Sequence, residues 1–141
     1  MDNLDKALLL PLLAQIALTF VIGLLAFKAR FTAVKQGKVA LSYFKHNRGK
    51  SPETMLAYGD NYQNQFELPV LFYLLISLLF ITEQNSLFFT LGAWVFVISR
   101  ILHAYIHVTS NAIMPRMQSF VFGFLTLLTL WIGFALVNLL S

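Results

Sequence analysis

Four long apolar runs constrain this chain more than any other feature of its sequence. The first, Ala7 to Phe27, contains no charged residue and is long enough for a helix to cross the hydrocarbon core of a bilayer, about 30 Å thick. With 58% hydrophobic and 11% charged residues among 141, the chain is far more apolar than a soluble domain. The sequence therefore predicts an all-α integral membrane protein.

The breaks between these runs predict a single domain, a bundle of four transmembrane helices. Pro69 is expected inside the second helix, where neighbouring helices can satisfy the carbonyl that a proline leaves free. Pro115 is expected in the first turn of the fourth helix, where its missing N–H is harmless. We expect the helices at about 7–29, 61–82, 87–109 and 116–138, and a basic loop at about 30–60.

Most of the positive charge lies at the end of the first helix and in the loop that follows it. Seven of the ten Lys and Arg residues fall there, in a stretch without an acid: Lys28, Arg30, Lys35, Lys38, Lys45, Arg48 and Lys50. The positive-inside rule places this loop in the cytoplasm, both termini outside, and the protein in the plasma (inner) membrane. Basic residues confined to one such loop favour membrane lipids as partners, through anionic head groups, and argue against nucleic acid.

Polar residues interrupt two apolar runs at a similar depth. At about 100° per residue, each set falls on one face of its helix: Arg100, His103, His107 and Asn111 on the third helix, and Asp60, Asn64 and Glu67 on the second. An unpaired charge inside a membrane costs a few kcal/mol, so we expect an ion pair between Glu67 and Arg100. Arg116, beside the free N–H groups that begin the fourth helix, favours an anion there.

Three interpretations of these polar residues remain open from the residues alone. They can form a binding or catalytic site, or they can hold helices together through hydrogen bonds, as we expect of Gln15 and Thr19. They can also serve a non-catalytic membrane protein, either by specifying assembly or by binding a ligand or a metal ion, for which His103 and His107 have the spacing of ligands. We do not assign a metal site, because two histidines alone are a weak signal. The chain has no cysteine, so any thiol chemistry requires a thiol substrate.

Two segments resemble the family of membrane-associated proteins in eicosanoid and glutathione metabolism (MAPEG), in its prokaryotic-type form. They are Asn-Gln-Phe-Glu-Leu-Pro at 64–69 and Arg-Ile-Leu-His-Ala-Tyr-Ile-His at 100–107, followed by Arg116. The likeness covers nearly the whole chain, including four helices and the basic loop. It implies a homotrimer of four-helix subunits, with glutathione bound near the cytoplasmic side between adjacent subunits.

The resemblance also implies roles for individual residues. A glutathione-dependent transferase or peroxidase would act on a lipophilic small molecule that enters from the bilayer. Arg116 and His107 would be its catalytic residues, Arg116 near the thiol and His107 as acid or base. The residues implied in glutathione binding are Asn64, Glu67, Arg100, His103 and Arg116.

Three positions depart from the pattern of glutathione-using relatives. Asp60 stands where they often carry Arg, and this exchange of charge is expected to weaken binding of an acidic tripeptide. His107 stands where they carry Tyr, which can preserve a hydrogen bond. Met117 stands where prostaglandin-forming relatives carry Ser, which leaves Ser119 as the nearest hydroxyl on that helix.

Overall fold

The computed structural model describes residues 3–47 and 49–140, with side chains from Lys6 onward; Arg48 of the basic stretch lies outside them. This part of the chain is all-helical. Its α-helices are α1 (Asn3–Lys35), α2 (Glu53–Gln63), α3 (Leu68–Ile81), α4 (Leu87–Val108) and α5 (Ile113–Leu140). Short 3₁₀ helices at Leu41–Lys45 and Asn64–Phe66 lie between them.

Within residues 3–47 and 49–140, four helical segments are long and apolar enough to span a membrane. They are Lys6–Lys35, Glu53–Ile81, Leu87–Val108 and Ile113–Leu140. The second consists of α2 and α3 in succession, so five helices make four spans. The expected all-α, multi-pass membrane architecture is confirmed.

The polar connection between the first two spans covers 36–52, whereas the sequence predicted a loop over about 30–60. α1 continues because the residues after Phe27 include no glycine or proline until Gly37. Gly37 has a φ of +68° and ends the helix in a Schellman motif, in which Lys38 N–H donates to Ala33 O and Gly37 N–H to Val34 O. We call the end of the bundle that carries 36–52 and 109–112 the basic end.

The connection folds back against the basic end of α1. Ala33, Val39 and Met55 form a small buried cluster there, and Tyr43 and Phe44 pack against it. The apolar run of α1 marks the hydrocarbon core, and this part of the chain lies beyond that run, where lipid tails do not reach. The buried cluster therefore holds the connection in place by excluding water from its apolar side chains. The connection is therefore a packed structure rather than a free linker.

The main core lies between α3, α4 and α5. Phe72 of α3 stacks on Phe96 of α4 with ring centroids 4.7 Å apart. A Cβ on Gly92 would collide with the side chain of Leu130, so glycine at this position lets α4 and α5 approach closely. The buried residues of this core are Leu8, Leu68, Phe72, Leu75, Ile76, Leu79, Phe89, Ala93, Phe96, Val97, Leu127 and Leu130.

Large apolar side chains also cover the outside of the bundle. α5 buries only Gly123, Leu127 and Leu130, and most of its other side chains are exposed. A soluble protein would not expose such a surface, whereas lipid tails or further copies of the chain can cover it. The outer surface agrees with the membrane assignment.

Candidate functional site

The second span is broken at the position of the first predicted motif. α2 ends at Gln63, the chain makes one 3₁₀ turn, and Glu67 adopts φ −95° and ψ −104° before α3 begins. Pro69 lies in the first turn of α3, which it can begin because it lacks an N–H; inside a continuous helix its ring would clash with the carbonyl of Gln65. The prediction that helix 2 continues through Pro69 is wrong.

Arg100 forms a hydrogen bond to the backbone at this break. Its side chain is fully buried in α4, and Nη2 donates to the backbone carbonyl of Asn64 over 3.3 Å. The guanidinium lies over the ring of Phe120, 5.5 Å from the ring centroid. Nε and Nη1 have no hydrogen-bond partner among the described residues. The cation therefore receives only part of the neutralisation and hydrogen bonding that a buried charge requires.

The predicted ion pair between Glu67 and Arg100 does not form within the described residues. Glu67 is exposed, on a surface that it shares with Phe66, Val70 and Leu71, which are exposed as well. Nη2 of Arg100 donates to the Asn64 carbonyl at the break instead, and the Glu67 carboxylate acts on the guanidinium only electrostatically, without a direct contact. A carboxylate is left on the outside of a membrane-spanning helix.

Asn64 joins the two histidines of α4. Its Nδ2 lies 3.3 Å from Nε2 of His103 and 3.5 Å from Nδ1 of His107. His103 Nδ1 lies 3.0 Å from the carbonyl oxygen of Arg116, which can only accept, so this nitrogen carries the proton. In the neutral ring, Nε2 of His103 is then an acceptor, and the Asn64 amide donates to it.

The position of the proton on His107 also follows from its contact with Asn64. Because Asn64 Nδ2 is a donor, Nδ1 of His107 accepts and its Nε2 carries the proton. No group within residues 3–47 and 49–140 accepts from that Nε2–H. His107 lines a cavity near the basic end, so its Nε2–H is available to a ligand.

Arg116 lies in the first turn of α5, and its Nη1 donates to the side-chain oxygen of Asn111. Asn111 has a φ of +48°, a conformation that asparagine tolerates better than most residues, and its N–H donates to Ile106 O at the end of α4. Ser119 donates its hydroxyl to the Arg116 carbonyl over 2.8 Å, so its proton is used within α5. The turn between α4 and α5 thus holds the Arg116 guanidinium.

These groups surround a cavity of about 440 Å³ near the basic end, which we call the polar cavity. Its size falls within the range of about 300–1,000 Å³ that small-molecule sites have. Four of the predicted site residues line it, Arg100 lies behind Phe120, and Glu67 lies outside. The residues that line it are Asp60, Asn64, His103, His107, Ile113, Arg116, Met117 and Phe120.

Phe120 and Ile113 are lining residues that the sequence analysis did not identify, and Phe120 has the more specific contacts. It follows Arg116 by four residues and therefore shares its face of α5, which is a signal the sequence does contain. Its ring contacts both cation and imidazole, since it also lies 5.7 Å from the His103 ring centroid. Phe120 separates Arg100 from the polar cavity.

A metal site was one of the open interpretations. The described residues contain no group of three or more His, Cys, Asp or Glu side chains placed to hold a metal ion. Three of the four ring nitrogens of His103 and His107 instead face Asn64 or the Arg116 carbonyl.

A second polar network supports the break from the other side. Gln15 of α1 donates from Nε2 to Oε1 of Gln65 over 3.2 Å, and both side chains are fully buried. Asn61 donates to the carbonyl of Ala104, which ties α2 to α4. Thr19 lies 3.1 Å from the Tyr73 hydroxyl. The interhelical hydrogen bonds predicted for Gln15 and Thr19 are confirmed.

The comparison with protein families gives a match across almost the whole bundle. The model of the MAPEG family matches residues 8–136. No curated protein and no solved structure matches the chain. The match includes the second and third spans, most of the first and fourth, and every residue of the polar cavity.

Proposed function

The chain belongs to the MAPEG family, and on that premise we propose that it is a glutathione-dependent transferase or peroxidase that acts on a lipophilic electrophile. The observation that carries the proposal is Arg100, whose buried Nε and Nη1 have no hydrogen-bond partner among the described residues and so favour an acceptor from a ligand. Glutathione carries two carboxylates, an ammonium group and a thiol. A carboxylate that displaces the Phe120 ring from the guanidinium would satisfy the cation through charge-assisted hydrogen bonds.

The other site residues fit the remaining groups of glutathione. Asn64 offers an amide, Glu67 a carboxylate for the ammonium group, and Arg116 a cation for the thiolate. His103 holds Asn64 and the Arg116 carbonyl in register through its two nitrogens. Asp60 at the cavity wall opposes the second carboxylate, so affinity should be lower than with a cation at that position.

We propose a homotrimer in which the site lies between subunits. Glu67 supports this, because a carboxylate that faces lipid costs a few kcal/mol, whereas a neighbouring copy can cover it. A second copy beside α3 would also bring donors or acceptors to a site that one chain leaves incomplete. The basic end would face the cytoplasm of the plasma membrane, where the thiol is dissolved and where lysine and arginine are retained.

The proposed reaction is either a substitution by the thiol at an electrophilic carbon or the reduction of a hydroperoxide. Glutathione supplies the sulfur, which forms a bond to the electrophilic carbon while the electrons of the breaking bond depart with the leaving group. With a hydroperoxide, two thiols become one disulfide and the substrate becomes an alcohol and water. Arg116 favours the thiolate, and His107 is placed as an acid, because its Nε2–H is the free donor at the cavity.

Calorimetric titration of glutathione into detergent-purified protein tests the proposal. We expect Arg100→Ala and Arg116→Ala each to lower affinity roughly tenfold to hundredfold, because each removes charged hydrogen bonds. Lys45→Ala, which removes an equal charge outside the polar cavity, should change little. Asp60→Asn should act in the opposite direction and tighten binding.

Absence of saturable binding at millimolar glutathione would refute the proposal. Binding that both arginine variants retain would refute the site. A non-catalytic protein, in which the polar residues only specify assembly, predicts instead that Arg100→Leu disturbs the oligomer and changes no ligand affinity. Where glutathione does bind, turnover of a panel of lipophilic electrophiles and hydroperoxides then identifies the reaction.

A further inference from the structure

A second cavity lies at the basic end, between the last turns of α1 and the start of α2. Its volume is about 260 Å³, and none of its lining residues belongs to the polar cavity. We call it the lysine cavity. Its polar lining consists of Lys28, Thr32, Gln36, Lys38, Thr54 and Tyr58.

The polar side chains of the lysine cavity are open to solvent, and all of them except Tyr58 are exposed. None of these six side chains has a hydrogen-bond or ion-pair partner within residues 3–47 and 49–140. No aspartate or glutamate lines the cavity; Glu53 is the nearest along the chain and is exposed. Two ammonium groups with hydroxyl and amide donors around them, and no acid, form a surface complementary to a compact anion.

The start of α2 adds further donors. Thr54 is the second residue of α2, and Pro52, which precedes the helix, provides no side-chain cap. The backbone N–H groups that precede Leu56 in the first turn of α2 therefore have no side-chain cap. The Leu56 N–H is the first that donates within the helix, to Pro52 O. This helix end increases the positive potential that the lysines already provide.

The lysine cavity lies at the end of the apolar run of α1, which indicates the kind of anion that it would meet. Lys28 directly follows the uncharged run of α1, and Leu25 and Ala29 complete the apolar part of the wall. The cavity therefore lies where the hydrocarbon core of a bilayer gives way to its head groups. A lipid can place its phosphate against the lysines while its chains follow the exposed face of α1.

We propose that the lysine cavity binds the phosphate group of an anionic phospholipid. The ammonium groups of Lys28 and Lys38 neutralise the phosphate, and the hydroxyls of Thr32 and Thr54 donate to its oxygens. The site anchors the connection 36–52 to the membrane surface and is independent of the thiol chemistry proposed above.

Short-chain lipids test this, because they dissolve as monomers. Dihexanoyl phosphatidic acid and dihexanoyl phosphatidylglycerol are titrated into the detergent-purified protein, beside dihexanoyl phosphatidylcholine and inorganic phosphate. We expect the double variant Lys28→Gln/Lys38→Gln to lower affinity for the anionic lipids by about tenfold to thirtyfold. The control Lys35→Gln/Lys45→Gln removes the same charge from the same stretch, outside this cavity, and should change affinity less than about threefold.

A third variant separates donors from charge. Thr32→Val/Thr54→Val keeps every lysine and should still weaken binding of the anionic lipids. Equal losses in both lysine variants would mean diffuse attraction and would overturn the site. Phosphatidylcholine bound as tightly as phosphatidic acid would do the same, and inorganic phosphate bound as tightly as the anionic lipids would overturn the assignment to lipid.

Discussion

Nη2 of Arg100 donates to the backbone carbonyl of Asn64 across 3.3 Å, and this bond joins α4 to the break in the second span. The carbonyl is available because regular α-helix stops just before it and resumes at Leu68. The same break presents the side-chain amide of Asn64 to His103 and His107. One local irregularity therefore connects a buried cation to the polar cavity.

Pro69→Ala is expected to weaken that bond. Alanine removes the ring and restores an N–H that can donate to the Gln65 carbonyl. The helix can then continue through the break, with the Leu68 N–H taking the Asn64 carbonyl from Arg100. We therefore expect Pro69→Ala and Arg100→Met to be non-additive, with a coupling of about 1 kcal/mol in the free energy of unfolding. Denaturant unfolding in detergent of the parent, both single variants and the double variant measures it.

The control for this cycle is Pro11→Ala, in the interior of α1. It should combine additively with Arg100→Met, because Pro11 has no part in the break. If Pro69→Ala is equally additive, to within about 0.5 kcal/mol, the break does not support Arg100.

Gly123 is expected to be essential for packing around Arg100. A Cβ there would lie 2.5 Å from Ser99 Oγ and 3.8 Å from Arg100 Cδ. Gly123→Ala should destabilise the protein by about 1–3 kcal/mol, because overpacking displaces buried side chains. Ser99→Ala removes the nearest atom and should restore most of this loss in the double variant, as thermal unfolding would measure.

Gly59 provides the comparison for that experiment. It also lies in a helix, but a Cβ there would meet only the Arg30 guanidinium at 3.7 Å, an ordinary contact. Gly59→Ala should therefore be neutral or stabilise by up to about 1 kcal/mol. A loss in Gly123→Ala that Ser99→Ala fails to relieve would show that the clash lies elsewhere.

The sequence carried enough information to predict the spans and which polar side chains share a face. Helical spacing placed His103 and His107 together, and their joint contact with Asn64 follows from the matching depth of two antiparallel helices. The pattern of hydrophobicity sets these features, and it depends on many residues at once.

The direction of the Glu67 side chain could not be predicted in this way. It depends on the backbone angles of Glu67, two residues before Pro69, and with these angles the hydrogen-bond partner of Arg100 is the Asn64 carbonyl. Spacing assumes a regular helix and loses its meaning across such a break. The position of Phe120 over Arg100 likewise depends on how α5 packs on α4.

Asn64→Asp is expected to change the protonation of His103. Aspartate has the shape of asparagine but offers acceptors in place of donors. Because His103 Nδ1–H is held by the Arg116 carbonyl, its Nε2 lone pair would then face a carboxyl oxygen, and the two groups must share one proton in a new hydrogen bond. Nitrogen-15 NMR of histidine-labelled protein at neutral pH should show the Nε2 signal of His103 shifted from its position in the parent.

The matched change for that measurement is Gln63→Glu, which adds the same charge at the preceding, exposed position. It should leave the ring signals of His103 unchanged. Identical spectra for Asn64→Asp and the parent would mean that the Asn64 amide does not donate to His103.

Glu67 gives the most direct test of assembly. On an isolated chain, Glu67→Leu should be tolerated or stabilising, because leucine suits the exposed apolar face that Phe66, Val70 and Leu71 form. In a homotrimer, a neighbouring copy would supply donors to the carboxylate, and the same substitution would remove them. Native mass spectrometry at fixed protein concentration should therefore show Glu67→Leu shifted from trimer towards monomer, and Glu67→Gln shifted less.

The control is Glu83→Gln, which changes an exposed acid in the turn after α3 and should assemble like the parent. If Glu67→Leu is not shifted, the Glu67 carboxylate does not take part in the contact between copies.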